Sequence, residues 1–126
     1  MKRVIIAAIL LSAIIFASVF SYIQVRRIRN DVILKIDSLN NLIQEQQYET
    51  AVGLADDLYD YWELEEGTLV HYVRHSYIDE ISKLIARLPA LVKGELYVDF
   101  LADLDSIRWQ IDHVWKTERP VWNNIL

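Results

Sequence analysis

The run Val4–Ile23, VIIAAILLSAIIFASVFSYI, constrains this chain more than any other feature: it is twenty residues long, uncharged, and strongly polar only at Ser12, Ser18 and Ser21. As an α-helix rising 1.5 Å per residue it spans about 30 Å, the thickness of a bilayer's hydrocarbon core. Lys2 and Arg3 precede it, Arg26, Arg27 and Arg29 follow it, and Tyr22 stands where an interfacial aromatic would. No polar face interrupts the run, which argues against a buried helix of a soluble domain. A cleaved signal peptide competes, since Val19-Phe20-Ser21 offers a weak small-residue site, but the run exceeds the roughly 7–15 apolar residues of a signal core. The reading is a transmembrane helix over 4–23, with 1–24 as the anchor of a single-pass cell-membrane protein and 25–126 as its domain. The short basic N-terminus suggests an extracytoplasmic domain, although Arg26, Arg27, Arg29 and Lys35 outnumber Lys2 and Arg3 and weigh the other way.

Beyond the anchor the pattern is helical. Val25, Ile28, Val32, Ile36, Leu39 and Ile43 recur at steps of three and four, the stripe of an amphipathic helix. No Gly or Pro separates it from the apolar run, so one helix over about 3–46 is expected. A coiled-coil dimer is compatible with the stripe, but with fewer than three clean heptads packing within the chain is the better reading. Tyr48, Ala51, Ala55, Leu58 and Trp62 mark a second helix over 48–65, ended by Gly67 as a left-handed cap. Thr68 then opens a third helix as N-cap, with Leu69, Tyr72, Ile78, Ile81, Ile85 and Leu88 on its stripe and Pro89 and Gly94 at its end. A fourth, over 95–117, carries Tyr97, Leu101, Leu104, Ile107, Ile111 and Val114 and stops before Pro120. Short connections between long helices favour antiparallel neighbours. The expected fold is therefore all-α: an N-terminal transmembrane helix continuing into an up-down antiparallel helical bundle. No second copy of the Tyr48-Glu49-x-Ala51 pattern occurs at the 34-residue spacing of a tetratricopeptide array.

Charge and composition narrow the function. The chain has no cysteine, which excludes disulfides and thiolate metal sites. The net charge is −5; all eighteen acidic but only eleven of the thirteen basic side chains lie beyond residue 24, so the domain carries −7. Such a domain is a poor phosphate binder, so nucleic acid is not an expected partner, nor is attachment of the domain face to anionic lipid. No Gly-x-Ser-x-Gly and no Gly-rich phosphate loop occurs, and Ser76 beside His75 would point to a different helix face. No enzyme and no cofactor is expected.

Three features compete as sites. His71, His75 and Asp79, one turn apart, would line one helix face and suit a divalent metal. The Glu that a zinc-protease helix carries after its first His is absent, Tyr72 standing there instead, and an His75–Asp79 hydrogen bond or a solvated face is the plainer reading. A metal- or ligand-sensing domain is thus the alternative function. Eight carboxylates and no basic residue lie between Glu45 and Glu66, most simply a solvated helix face. Trp62 falls on the core stripe, whereas Trp109 and Trp115 lie off it, which makes one of them a candidate for exposure to a partner, with core or partial burial the plainer reading for each. Trp122, Glu118 and Arg119 complete the interaction candidates. The apolar end, Val121, Trp122, Ile125 and Leu126, is expected to fold back over the open end of the bundle, with a docking peptide as the other reading.

The apolar N-terminus, Tyr48-Glu49-x-Ala51 leading to Trp62, the stretch His75 to Ile81, and Glu118-Arg119-Pro120 with the terminal Asn124-Ile125-Leu126 together resemble the domain-of-unknown-function 4363 family of small bacterial membrane-anchored proteins. The resemblance covers most of the chain and implies no catalytic residue. It implies an accessory or interaction role, with a YetF-type multi-pass membrane protein as a protein partner.

Overall fold

The computed structural model describes the backbone of residues 1–71 and 73–125 and the side chains of residues 1–71 and 73–113. Four helices follow in order: α1 (Lys2–Gln44), α2 (Tyr48–Leu69), α3 (His75–Lys93) and α4 (Tyr97–Ile125). Each packs on its neighbours around a ring, α1 on α2 and α4, α3 on α2 and α4, so the expected up-down antiparallel bundle is formed.

The two halves of α1 differ in kind. Up to Gln24 every side chain is exposed except the half-buried Ser18, Ser21 and Gln24. Burial begins at Val25, and Val25, Ile28, Val32, Ile36, Leu39 and Ile43 are its buried residues. The stripe read from the sequence is thus consumed inside the bundle, as intrachain packing requires. Among the described residues α1 is the one helix long and apolar enough to cross a membrane. The end of the bundle from which its apolar half projects is termed proximal; the α1–α2 and α3–α4 turns form the distal end.

Those distal turns are built alike. The amides of Gln46 and Gln47 donate to the carbonyls of Ile43 and Leu42, and those of Glu95 and Leu96 to Val92 and Leu91. This is the Schellman pattern, and it places Gln46 (φ 61°) and Glu95 (φ 59°) in the left-handed region. Tyr48 and Tyr97 open the next helices and stack with centroids 4.2 Å apart. The buried positions repeat with the turns: Val32 with Ile81, Ile36 with Ile85, Leu39 with Leu88, Ile43 with Val92, Ala51 with Phe100, Ala55 with Leu104, Leu58 with Ile107 and Trp62 with Ile111, each pair forty-nine positions apart. Two helical hairpins of one pattern therefore share a core.

The structure corrects four boundaries. Gly67 lies inside α2, not in a left-handed cap, and Thr68 does not open α3, which begins at His75 after an extended Arg74. Continuing α2 buries Leu69, a gain of about 1.5–3 kcal/mol that outweighs the roughly 1 kcal/mol cost of a helical Gly. Pro89 sits within α3; Leu88 and Val92, buried on either side, hold the helix across the missing amide, whose cost is about 3 kcal/mol. The helix α4 passes Pro120 and runs to Ile125. On α4, Phe100 is buried where the sequence pointed to Leu101, which is only partly covered.

Candidate functional site

Polar contacts tie the outer seams of the bundle. On the α1–α2 seam Tyr61 donates to Asp31 Oδ2 at 2.7 Å, with the Lys35 ammonium 4.5 Å from the centre of its ring. Arg27 pairs with Glu65 at 3.3 Å and also donates to Gln24. Burial, the hydrogen bond to Asp31 and the charge of that carboxylate push the Tyr61 phenol well above its ordinary pKa. On the α1–α4 seam Arg29 pairs with Asp112 at 2.6 Å and Arg108 with Asp37. On the α3–α4 seam Arg87 grips the buried Asp103 through two nitrogens. Asp103 is the one buried charged side chain among the described residues, and its hydrogen bond and charge raise the Arg87 pKa further. Each of these carboxylates and cations is spent on holding helices together.

Inside, the Trp62 indole N–H donates to Ser82 Oγ at 2.7 Å, joining α2 to α3. A cavity of about 20 Å³ near the proximal end is lined by Val25, Ile28, Trp62, Leu69, Val73 and Ile111 among others. It has room for about one water, and its apolar walls offer that water few partners. Among the described residues the core is therefore closely packed at this point.

The outer face of α3 and α4 differs. Trp109 is 66% exposed, and its ring stacks on His113, one turn along α4, with centroids 5.0 Å apart. His113 in turn meets the Tyr77 ring of α3 edge-on at 5.8 Å. An indole left in solvent on a rigid helix, braced by two further rings, is the type of residue that anchors protein interfaces. The sequence pointed to Trp109; it did not point to His113 or Tyr77. The spacing of four between Trp109 and His113 was the available signal.

The metal candidates are not drawn together. His71 lies in the α2–α3 connection, and His75 is the first residue of α3, so the expected continuous helical face from His71 through Asp79 does not exist. His75 and Asp79 are both exposed and do not bond to each other. Among the described residues no three His, Cys, Asp or Glu side chains could share a metal ion. Asp56, Asp57, Asp60 and Glu63 are exposed on α2, whereas Glu65 and Glu66 are partly covered; this acidic face is solvated for most of its length. The side chains of Trp115, Trp122, Glu118 and Arg119, and those of the apolar end expected to fold back, lie outside the described residues.

The sequence profile of a family described as a domain of unknown function (DUF4363) matches residues 19–125. The chain belongs to this family. The match takes in the end of the apolar half of α1 and the whole bundle, so the bundle is the family's domain. No curated protein and no solved structure matches the chain.

Proposed function

We propose that this DUF4363 protein is a membrane-tethered interaction module, an accessory to a multi-pass membrane protein. The observation that carries the reading is the continuity of α1: forty-three residues of unbroken helix whose first half is exposed apart from the half-buried Ser18, Ser21 and Gln24 and whose second half lines the core of a bundle. A helix of this kind both crosses a bilayer and fixes the bundle at its surface, because no hinge residue separates the two functions. The exposed Trp109, with His113 and Tyr77 behind it, supplies the face for a partner. A partner of integral-membrane type fits because the tether confines the bundle to the membrane surface and raises the effective concentration of anything embedded beside it. In this reading the bundle stands outside the cytoplasm.

Site-specific crosslinking in native membranes tests it. A photo-crosslinking residue in place of Trp109 should give one discrete adduct with an integral membrane protein, and the same residue in place of Asp57, on the acidic face, should not. Adducts of equal yield at both positions, or none at 109, would remove the interaction face.

A further inference from the structure

Three arginines follow the apolar run within one turn of each other, and the structure gives them different occupations. Arg27 is held by Glu65 and Gln24, and Arg29 by Asp112. Arg26 is exposed and has no partner among the described residues. It lies in an open groove of about 370 Å³ along α1, lined by Tyr22, Ile23, Arg26, Arg27, Asn30 and Asp31. Tyr22, Arg26 and Asn30 are spaced by four and share one line of the helix.

We propose that this groove is a binding site for the headgroup of an anionic phospholipid, with Arg26 as its cation. The inference rests on the proposed membrane crossing of α1. Three features of the groove match that ligand. Its depth is right: the apolar run ends at Ile23, and Arg26 stands three residues beyond it, about 4.5 Å along the axis, within the headgroup layer. Its chemistry is graded in the same direction, with Ile23 and the Tyr22 ring on the apolar side and the guanidinium and the Asn30 amide on the polar side. A guanidinium offers a phosphate two parallel N–H donors, and the Asn30 side chain can donate a third hydrogen bond. Pairing also selects it: Arg27 and Arg29 are held by Glu65 and Asp112, so Arg26 is the one of the three arginines without an ion pair among the described residues. Asp31, at the far end of the groove, accepts from Tyr61 and is turned to the α1–α2 seam.

The test uses the full chain reconstituted in vesicles of phosphatidylcholine, with or without phosphatidylglycerol, then released into mild detergent for native mass spectrometry. The wild-type chain should retain phosphatidylglycerol in preference to phosphatidylcholine. Arg26→Gln should reduce that retention about fivefold, the worth of one arginine near a charged surface, and Arg3→Gln, at the other end of the apolar run, should leave it unchanged. Excess inorganic phosphate should not displace the lipid, because the apolar side of the groove holds the glycerol and acyl portion. Equal retention of both lipids, equal retention by Arg26→Gln, or displacement by phosphate would each overturn the site. Flotation of the same vesicles separates this from the tether: protein that floats with them but binds without selectivity loses only the headgroup site, whereas protein that does not float loses the membrane crossing and the site with it.

Discussion

Trp62 is the residue on which the two hairpins of the bundle depend most visibly. It is 1% exposed, lies on α2, and reaches Ser82 of α3 through its indole N–H. Replacing it by Phe keeps an aromatic ring but removes that donor and on the order of 40 Å³ of side chain. At about 24 cal/mol per Å³ of cavity, the lost volume costs about 1 kcal/mol. The lost hydrogen bond adds about 1 kcal/mol. Ser82→Ala alone should cost about 1–3 kcal/mol, because it leaves the buried indole N–H without an acceptor. In the double variant that penalty vanishes, since neither polar group remains. The double variant should therefore be about as stable as Trp62→Phe, so the coupling between the sites equals the cost of Ser82→Ala alone, about 1–3 kcal/mol. For a domain of this size each 1 kcal/mol moves Tm by about 4–8 °C. Circular dichroism melts of the full chain in detergent resolve such differences. Strictly additive shifts would refute the assignment of Trp62 and Ser82 as one interaction, and an unshifted Trp62→Phe melt would refute the packing argument itself.

Four further outcomes are expected. The Tyr61 phenol has a folded-state pKa above its ordinary value of 10.0, so its contribution to stability is fully present below pH 10 and is lost as pH rises beyond it; Tyr61→Phe should flatten the alkaline fall in Tm, and an unchanged pH profile would count against the Asp31 contact. Arg87→Met should lower Tm by leaving the buried Asp103 carboxylate unpaired, and adding Asp103→Leu should restore most of the loss; a further drop in the double variant would contradict that. Ala51→Phe should overpack the distal core and Phe100→Ala should open a cavity costing about 3–5 kcal/mol, yet the two together should melt above either alone, unless the positions do not face a common space. A phosphatase active only outside the cytoplasm, fused after Leu126, should be active in cells, and an inactive fusion would reverse the proposed orientation.

Most of the fold was legible because one periodicity governs it. The α1 stripe from Val25 to Ile43 is the buried set of that helix, and the α2 stripe of Ala51, Ala55, Leu58 and Trp62 is buried together with Leu69, whereas Trp109, whose plainer reading was core or partial burial, is exposed. The misreadings were at punctuation. Gly67 and Pro89 signal helix ends locally, and both were overridden by buried neighbours whose worth depends on tertiary contacts that a local signal does not contain. The two left-handed positions went to Gln46 and Glu95, residues without a turn signature, because Schellman bonds to the preceding helix hold them there. The shared face of His71, His75 and Asp79 was misread for the same reason, since His71 and His75 lie on one helix only if α3 starts at Thr68. The groove at Arg26 was hidden differently. Arg26, Arg27 and Arg29 are equivalent in the sequence, and only their partners on α2 and α4 distinguish them.

The repeat of the hairpins escaped the sequence because its two copies complement each other instead of matching. In the distal layers α2 contributes the small Ala51 and Ala55 where α4 contributes Phe100 and Leu104. Toward the proximal end the order reverses, with Trp62 on α2 and Ile111 on α4. A core of fixed packing density admits such exchanges, since what it constrains is the summed volume of a layer rather than the identity at each position. The α1 and α3 positions vary far less, Ile36 with Ile85 and Leu39 with Leu88 being identical. Symmetry of the backbone with complementarity of the side chains also fixes the pairing: if α2 and α4 both carried Trp and Phe at every layer the hairpins would not close, and if both carried Ala the core would be hollow. The sequence therefore selects one arrangement of two similar hairpins, with the apolar half of α1 projecting from the end at which Trp62 fills the core.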